Sequence, residues 1–170
     1  MARADWLEAG AALLAGGGSA ALTIDRLCVL TGRTKGAFYH HFRTIADFER
    51  ALLGHWTEAN ANRAAAADPI QGFDLGDLAV GLNTGLEGAV RRWAAVSPAA
   101  REAVAAVDAR RVEILAARAQ ARRPGLAEQQ ARDLAVLDYA AFLGLLELLP
   151  GAGAEEIVRL TTLLQGYLAS

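Results

Sequence analysis

Apolar residues fall three and four apart along most of this chain, and where that rhythm stops there is a glycine, a proline or a capping side chain. Trp6, Leu7, Gly10, Leu13 and Leu14 share one face of a helix predicted over 4–15, which Gly16-Gly17-Gly18 ends. Thr23 is placed to cap a short helix over 24–30, its hydroxyl accepting from the amide of Asp25 or Arg26, and Gly32 breaks that helix. A second short helix is expected over 35–41, with Thr34 as its cap and Gly36 in its first turn. Thr44 and Asp47 open a long helix over 45–66, and Asp68-Pro69 stops it. Residues 71–77 read as a linker or a frayed helix start. Four further helices are predicted over 77–96, 98–122, 127–149 and 154–168, the second either continuous or broken near Val107. Ser97-Pro98, Pro124-Gly125 and Pro150-Gly151 punctuate them. No stretch alternates apolar and polar residues long enough to suggest a sheet, so the fold class is all-α. The expected organisation is a three-helix head over 1–46 and a helical remainder over 47–170.

Composition agrees with that reading. Much of the 54% hydrophobic content is alanine, which with leucine and arginine favours helix. The formal net charge of -2 means that any contact with nucleic acid must come from a local patch. One exists: residues 31–45 hold Arg33, Lys35 and Arg43, two histidines and no acid, and Lys35 is the only lysine in the sequence. Cys28 is the single cysteine, which excludes an internal disulfide and a cysteine-rich metal site. The acids Asp5 and Glu8 precede the first apolar run, unlike a secretory leader, and the most apolar stretch, 139–149, is far short of the ~20 residues a membrane span needs. A cytoplasmic protein without a membrane partner is expected, with that stretch a helix buried on two sides.

Two short helices joined by a tight glycine turn, the second flanked by cations and aromatics, form the pattern of a helix-turn-helix. Ile24, Leu27, Cys28, Phe38 and Phe42 supply the inward groups; Thr34, Lys35, Gly36, Ala37, Tyr39, His40 and His41 are left facing out. Lys35 suits a guanine edge or a phosphate, Gly36 allows close approach, and Tyr39 and His41 offer donors to phosphates. The bland alternative is an aromatic cluster stapling two helices. A metal site at His40-His41 is disfavoured, since helix neighbours point about 100° apart and no further ligand stands at suitable spacing. No phosphate loop, Ser-His-Asp signature or zinc motif points to an enzyme or to a cofactor, and Asp108, Arg110 and Arg111 read as a solvated charged face.

The run from Thr23 to Thr44, with its Lys35-Gly36-Ala37-Phe38-Tyr39-His40-His41-Phe42 core, resembles the DNA-binding signature of TetR-type transcriptional regulators. The resemblance implies contact with double-stranded DNA through Thr23, Arg33, Thr34, Lys35, Gly36, Ala37, Tyr39, His40 and His41. Departures are Cys28 for the usual alanine, Arg33 for valine, Ala37 without the frequent hydroxyl, Ile45 for a lysine, and a short N-terminal arm with Arg3 its only cation.

The helix over 127–149 is apolar nearly all round in its second half, and the last helix has a similar excess, so each needs a second partner. With the family in view they read as a homodimer's four-helix bundle, with an interface of Phe142, Leu145, Leu146, Leu149, Ile157, Leu160, Leu164 and Leu168. A two-fold axis then sets two recognition helices about 34–36 Å apart on a near-palindromic operator. The resemblance further implies a repressor released by a small-molecule effector, for which Trp56, Leu86, Trp93, Arg111, Tyr139 and Phe142 are the candidate pocket. Two other readings stay open: a DNA-binding dimer without an inducer, and a helical dimer of weak or no DNA affinity that acts through protein partners.

Overall fold

A computed structural model describes residues 2–66, 84–149 and 152–169, except for the side chains of residues 64–66, 154 and 168–169. The described residues are helical throughout, without a strand. In chain order they form α1 (Arg3–Gly17), a 3-10 turn (Ser19–Ala21), α2 (Ile24–Thr31), α3 (Lys35–His41), α4 (Ile45–Ala66), α5 (Thr84–Ala94), α6 (Pro98–Arg122), α7 (Glu128–Leu148) and α8 (Ala154–Ala169). The expected linker at 71–77, the start of the helix expected from 77, and the stop signals at 68–69 and 150–151 lie outside the described residues.

The predicted caps form. Thr23 Oγ1 accepts from the amide of Arg26 at 3.3 Å, Thr34 Oγ1 from Ala37 at 3.3 Å and Thr44 Oγ1 from Asp47 at 3.0 Å. Ser97 Oγ accepts from Ala100 at 3.3 Å, so α6 starts with a cap and a proline in its first turn. Gly18 and Gly32, with φ of 67° and 65°, close α1 and α2 in a region that disfavours any residue with a Cβ.

The chain divides into two compact units. The first takes in residues up to Asn60 together with Gly85–Ala106; the second comprises the described parts of Ala61–Thr84 and Val107–Ser170. α6 is continuous from Pro98 to Arg122, so no break occurs at Val107. The seam of the two units nevertheless falls between Ala106 and Val107, where Val107 is itself buried.

In the first unit α1 packs on α2 and α2 on α3. The core is aromatic. Phe38, fully buried, lies 5.6 Å from Trp6, 5.3 Å from Phe42 and 5.7 Å from Phe48 between ring centroids. Phe42 and Phe48 meet edge to face at 5.0 Å. This ring cluster ties α1, α3 and α4 together, which fixes how α3 is held. Gly10 is part of the fit, because a Cβ there would stand 2.5 Å from Phe48 Cζ. Alanine normally gains about 1 kcal/mol over glycine inside a helix. Forcing a methyl into a packed core costs about 1–3 kcal/mol. Gly10→Ala should therefore lower the urea midpoint of unfolding, and a variant as stable as the parent would refute this packing.

In the second unit Leu115, Ala135, Tyr139, Phe142 and Ile157 form the buried cluster, flanked by partly buried Val112, Leu143, Leu145 and Leu146. A polar network enters it. Arg111 Nη1 donates to the Tyr139 hydroxyl at 2.7 Å, and that hydroxyl donates to Asp108 Oδ1 at 2.6 Å. The solvated face expected of Asp108, Arg110 and Arg111 therefore needs correction. Arg110 is exposed and pairs with Glu113, but Arg111 is buried and Asp108 half-buried. A guanidinium is tolerated there because the tyrosine links it to a carboxylate through hydrogen bonds.

Candidate nucleic-acid interface

α2 and α3 are joined by three residues, Gly32, Arg33 and Thr34. The amide of Gly32 donates to Val29 at 3.3 Å and that of Arg33 to Cys28 at 3.0 Å, so the end of α2 is closed and the chain turns sharply into α3. Leu27, Phe38 and Phe42 are buried as the pattern required, whereas Ile24 and Cys28 are only partly so.

With those anchors inside, the opposite face of α3 is open. Thr34, Lys35, Gly36, Tyr39 and His40 are exposed, Ala37 and His41 half-buried, and Arg33 and Thr23 exposed beside them. Thr23 and Thr34 spend one acceptor interaction each on their caps. Tyr39 keeps an edge-to-face contact with Phe38 at 5.6 Å while its ring stands half in solvent. The rings of His40 and His41 lie 5.1 Å apart, and among the described residues no three of His, Cys, Asp and Glu come together as metal ligands would. Arg3 does not trail as an arm: it is the first residue of α1, its guanidinium 5.1 Å from the centre of the Phe42 ring.

Sequence reasoning missed Asp25. Its carboxylate lies 2.7 Å from Lys35 Nζ, joining the first turns of α2 and α3, and both side chains are exposed. The hydrogen bond and the charge of Asp25 raise the Lys35 ammonium above its ordinary pKa, so it stays protonated. The acid-free window 31–45 thus has an acid folded onto it from ten residues upstream. No local pattern would have found it.

The expected effector residues are drawn from both units. Trp56, Leu86 and Trp93 belong to the first unit; Arg111, Tyr139 and Phe142 belong to the second, where the stacked Tyr139 and Phe142 rings lie 6.3 Å apart. A shallow groove of about 300 Å³ on the first unit is lined by Leu13, Asp25, Arg26, Val29 and Leu30, and by none of those six.

The residues read as a dimer face also need re-sorting. Phe142 and Ile157 are spent inside the second unit's own core, and Leu145 and Leu146 pack against it. Leu160 and Leu164 are half-buried, Leu149 is exposed, and the side chain of Leu168 lies outside the described residues. The outward apolar face of α7 carries Leu137 and Leu148 instead, that of α8 Leu163 and Tyr167. On α7 the buried positions 131, 135, 139 and 142 and the exposed positions 137, 140 and 148 fall on opposite sides, as the 3.6-residue period dictates.

A short helix presented by a tight turn, its apolar side locked in a ring cluster and its polar, cationic side open, defines a helix-turn-helix DNA-binding domain. Residues 7–52 match the family described as bacterial regulatory proteins, tetR family, so the chain carries the DNA-binding domain of TetR-family transcriptional regulators. No curated protein and no solved structure matches the chain. Among the described residues no helix is long and apolar enough to cross a membrane.

Proposed function

We propose that this protein binds a near-palindromic operator as a homodimer and represses transcription until a small-molecule effector releases it. The observation that carries the reading is the open face of α3, where Thr34, Lys35, Gly36 and Tyr39 stand exposed on a helix held by buried Phe38. Residues 1–46 would read the duplex and 47–170 would dimerise and respond to the effector. The protein acts in the cytoplasm as a regulator, without catalysis or cofactor.

The dimer is supported by the outward face of Leu137, Leu148, Leu163 and Tyr167, since single-chain proteins seldom leave so many large apolar groups on adjoining helices in water. The effector reading rests on the family alone. Arg111 and Tyr139 would favour a ligand with a polar or acidic group, if the second unit opens to admit one.

A gel shift on the promoter region of the protein's own gene tests the proposal. Lys35→Ala removes one cation from the duplex contact, so affinity should fall about tenfold and the salt dependence should flatten by about one unit of log-log slope. Tyr39→Phe should weaken binding by a smaller factor through one lost hydroxyl donor. Wild-type affinity in Lys35→Ala would remove that residue from the interface. A panel of metabolites screened by thermal shift tests the effector, because a ligand that favours the native state raises its midpoint. A panel without a single shift would favour an inducer-free regulator.

A further inference from the structure

The pair between Asp25 and Lys35 sits at the one place where the open face of α3 carries a lysine. Both side chains are largely exposed, at 60% for Lys35 and 75% for Asp25, so the contact does not support the core. It joins the starts of the two helices on either side of the turn that aims α3. Lys35 is the only lysine in the sequence, and no other acid occurs between residues 26 and 46.

We propose that Asp25 sets the DNA affinity of this protein by holding Lys35 in an internal ion pair that the duplex must displace. The inference rests on the DNA-binding reading above. An ammonium offers three donors but one charge, so a phosphate or guanine that takes Lys35 must offset the carboxylate it leaves. The carboxylate then stands beside a polyanion. Each free-protein molecule therefore begins with the lysine of α3 neutralised, which lowers affinity for any duplex and leaves strong binding to sites that supply enough further contacts.

Such a latch acts through Lys35 and not through net charge, and the two are separable by a double-mutant cycle. The probes are a fluorescein-labelled random-sequence duplex long enough for two half-sites, and the promoter duplex, read by anisotropy over a salt series. Asp25→Asn should bind both about two- to fivefold more tightly, the range an exposed ion pair is worth. Its log-log salt slope should steepen by a fraction of one unit, since Lys35 then displaces a counterion without first leaving a partner. Asp25→Glu, which keeps the charge, should stay close to wild type. In a Lys35→Ala background Asp25→Asn should bring a clearly smaller gain, since only the repulsion between the carboxylate and the duplex is then relieved.

Equal or weaker binding by Asp25→Asn overturns the latch, because Asp25 would then be neutral or would aim Lys35 at the duplex. An equal gain with and without Lys35 also overturns it, as that is simple removal of a negative charge. Absence of binding to either duplex by every variant overturns the DNA-binding reading itself, and the latch with it. Melting midpoints of all five proteins, expected to agree closely, guard against a folding artefact.

Discussion

Phe38→Ala is expected to cost the N-terminal unit about 3–5 kcal/mol, enough to unfold a marginally stable unit at physiological temperature. The ring is fully buried and meets Trp6 of α1, Phe42 at the end of α3 and Phe48 of α4, so its loss opens a cavity bordered by three separate elements. None of them can close the gap without giving up contacts of its own. Fluorescence of Trp6, 5.6 Å from Phe38, should report the change during urea unfolding, with Phe38→Leu as the milder control. DNA binding should disappear in parallel, although Phe38 itself faces away from the open side of the helix. A variant that retains both the wild-type unfolding midpoint and DNA affinity would show that α3 is held by something other than these rings.

The double variant Leu137→Glu, Leu163→Glu is expected to convert the proposed dimer to a monomer. These leucines are 56% and 58% exposed in the single chain, so the glutamates cost little there. Within a two-fold interface they would bury up to four carboxylates against apolar surface, each at a penalty of several kcal/mol. Sedimentation velocity should show the halved mass while helical content holds. Operator affinity should fall by about a hundredfold or more, because a tethered second head contributes an effective concentration in the millimolar range that a free one lacks. A double variant that sediments as a dimer would assign the interface elsewhere. A monomer with undiminished operator affinity would separate DNA binding from dimerisation.

Much of this was legible in the residue order, for local reasons. A cap, a helix of two turns and a glycine in the left-handed region are decided within a few residues, so Thr23, Gly32, Thr34 and Thr44 fix the boundaries of α2 to α4 from sequence. Which side of α3 turns inward follows from the spacing of Phe38 and Phe42. What escaped is what depends on the third dimension. Asp25 and Lys35 meet only because the turn folds α2 and α3 together, and the buried Arg111 donates a hydrogen bond to a tyrosine 28 residues later. The apolar second half of α7 announced that two surfaces exist, but not which leucine serves which. Phe142 and Ile157 went to the chain's own core, while Leu137 and Tyr167 were left outside.

The solitary lysine has a chemical consequence. An amine-acylating reagent has a single side-chain target in this sequence, and it stands on α3, the helix proposed to read the duplex. Acylation there would erase a positive charge at the same stroke as it frees the carboxylate of Asp25, turning a paired spot into a net negative one. Because Asp25 holds the amine protonated, it also slows that reaction, which needs the free base.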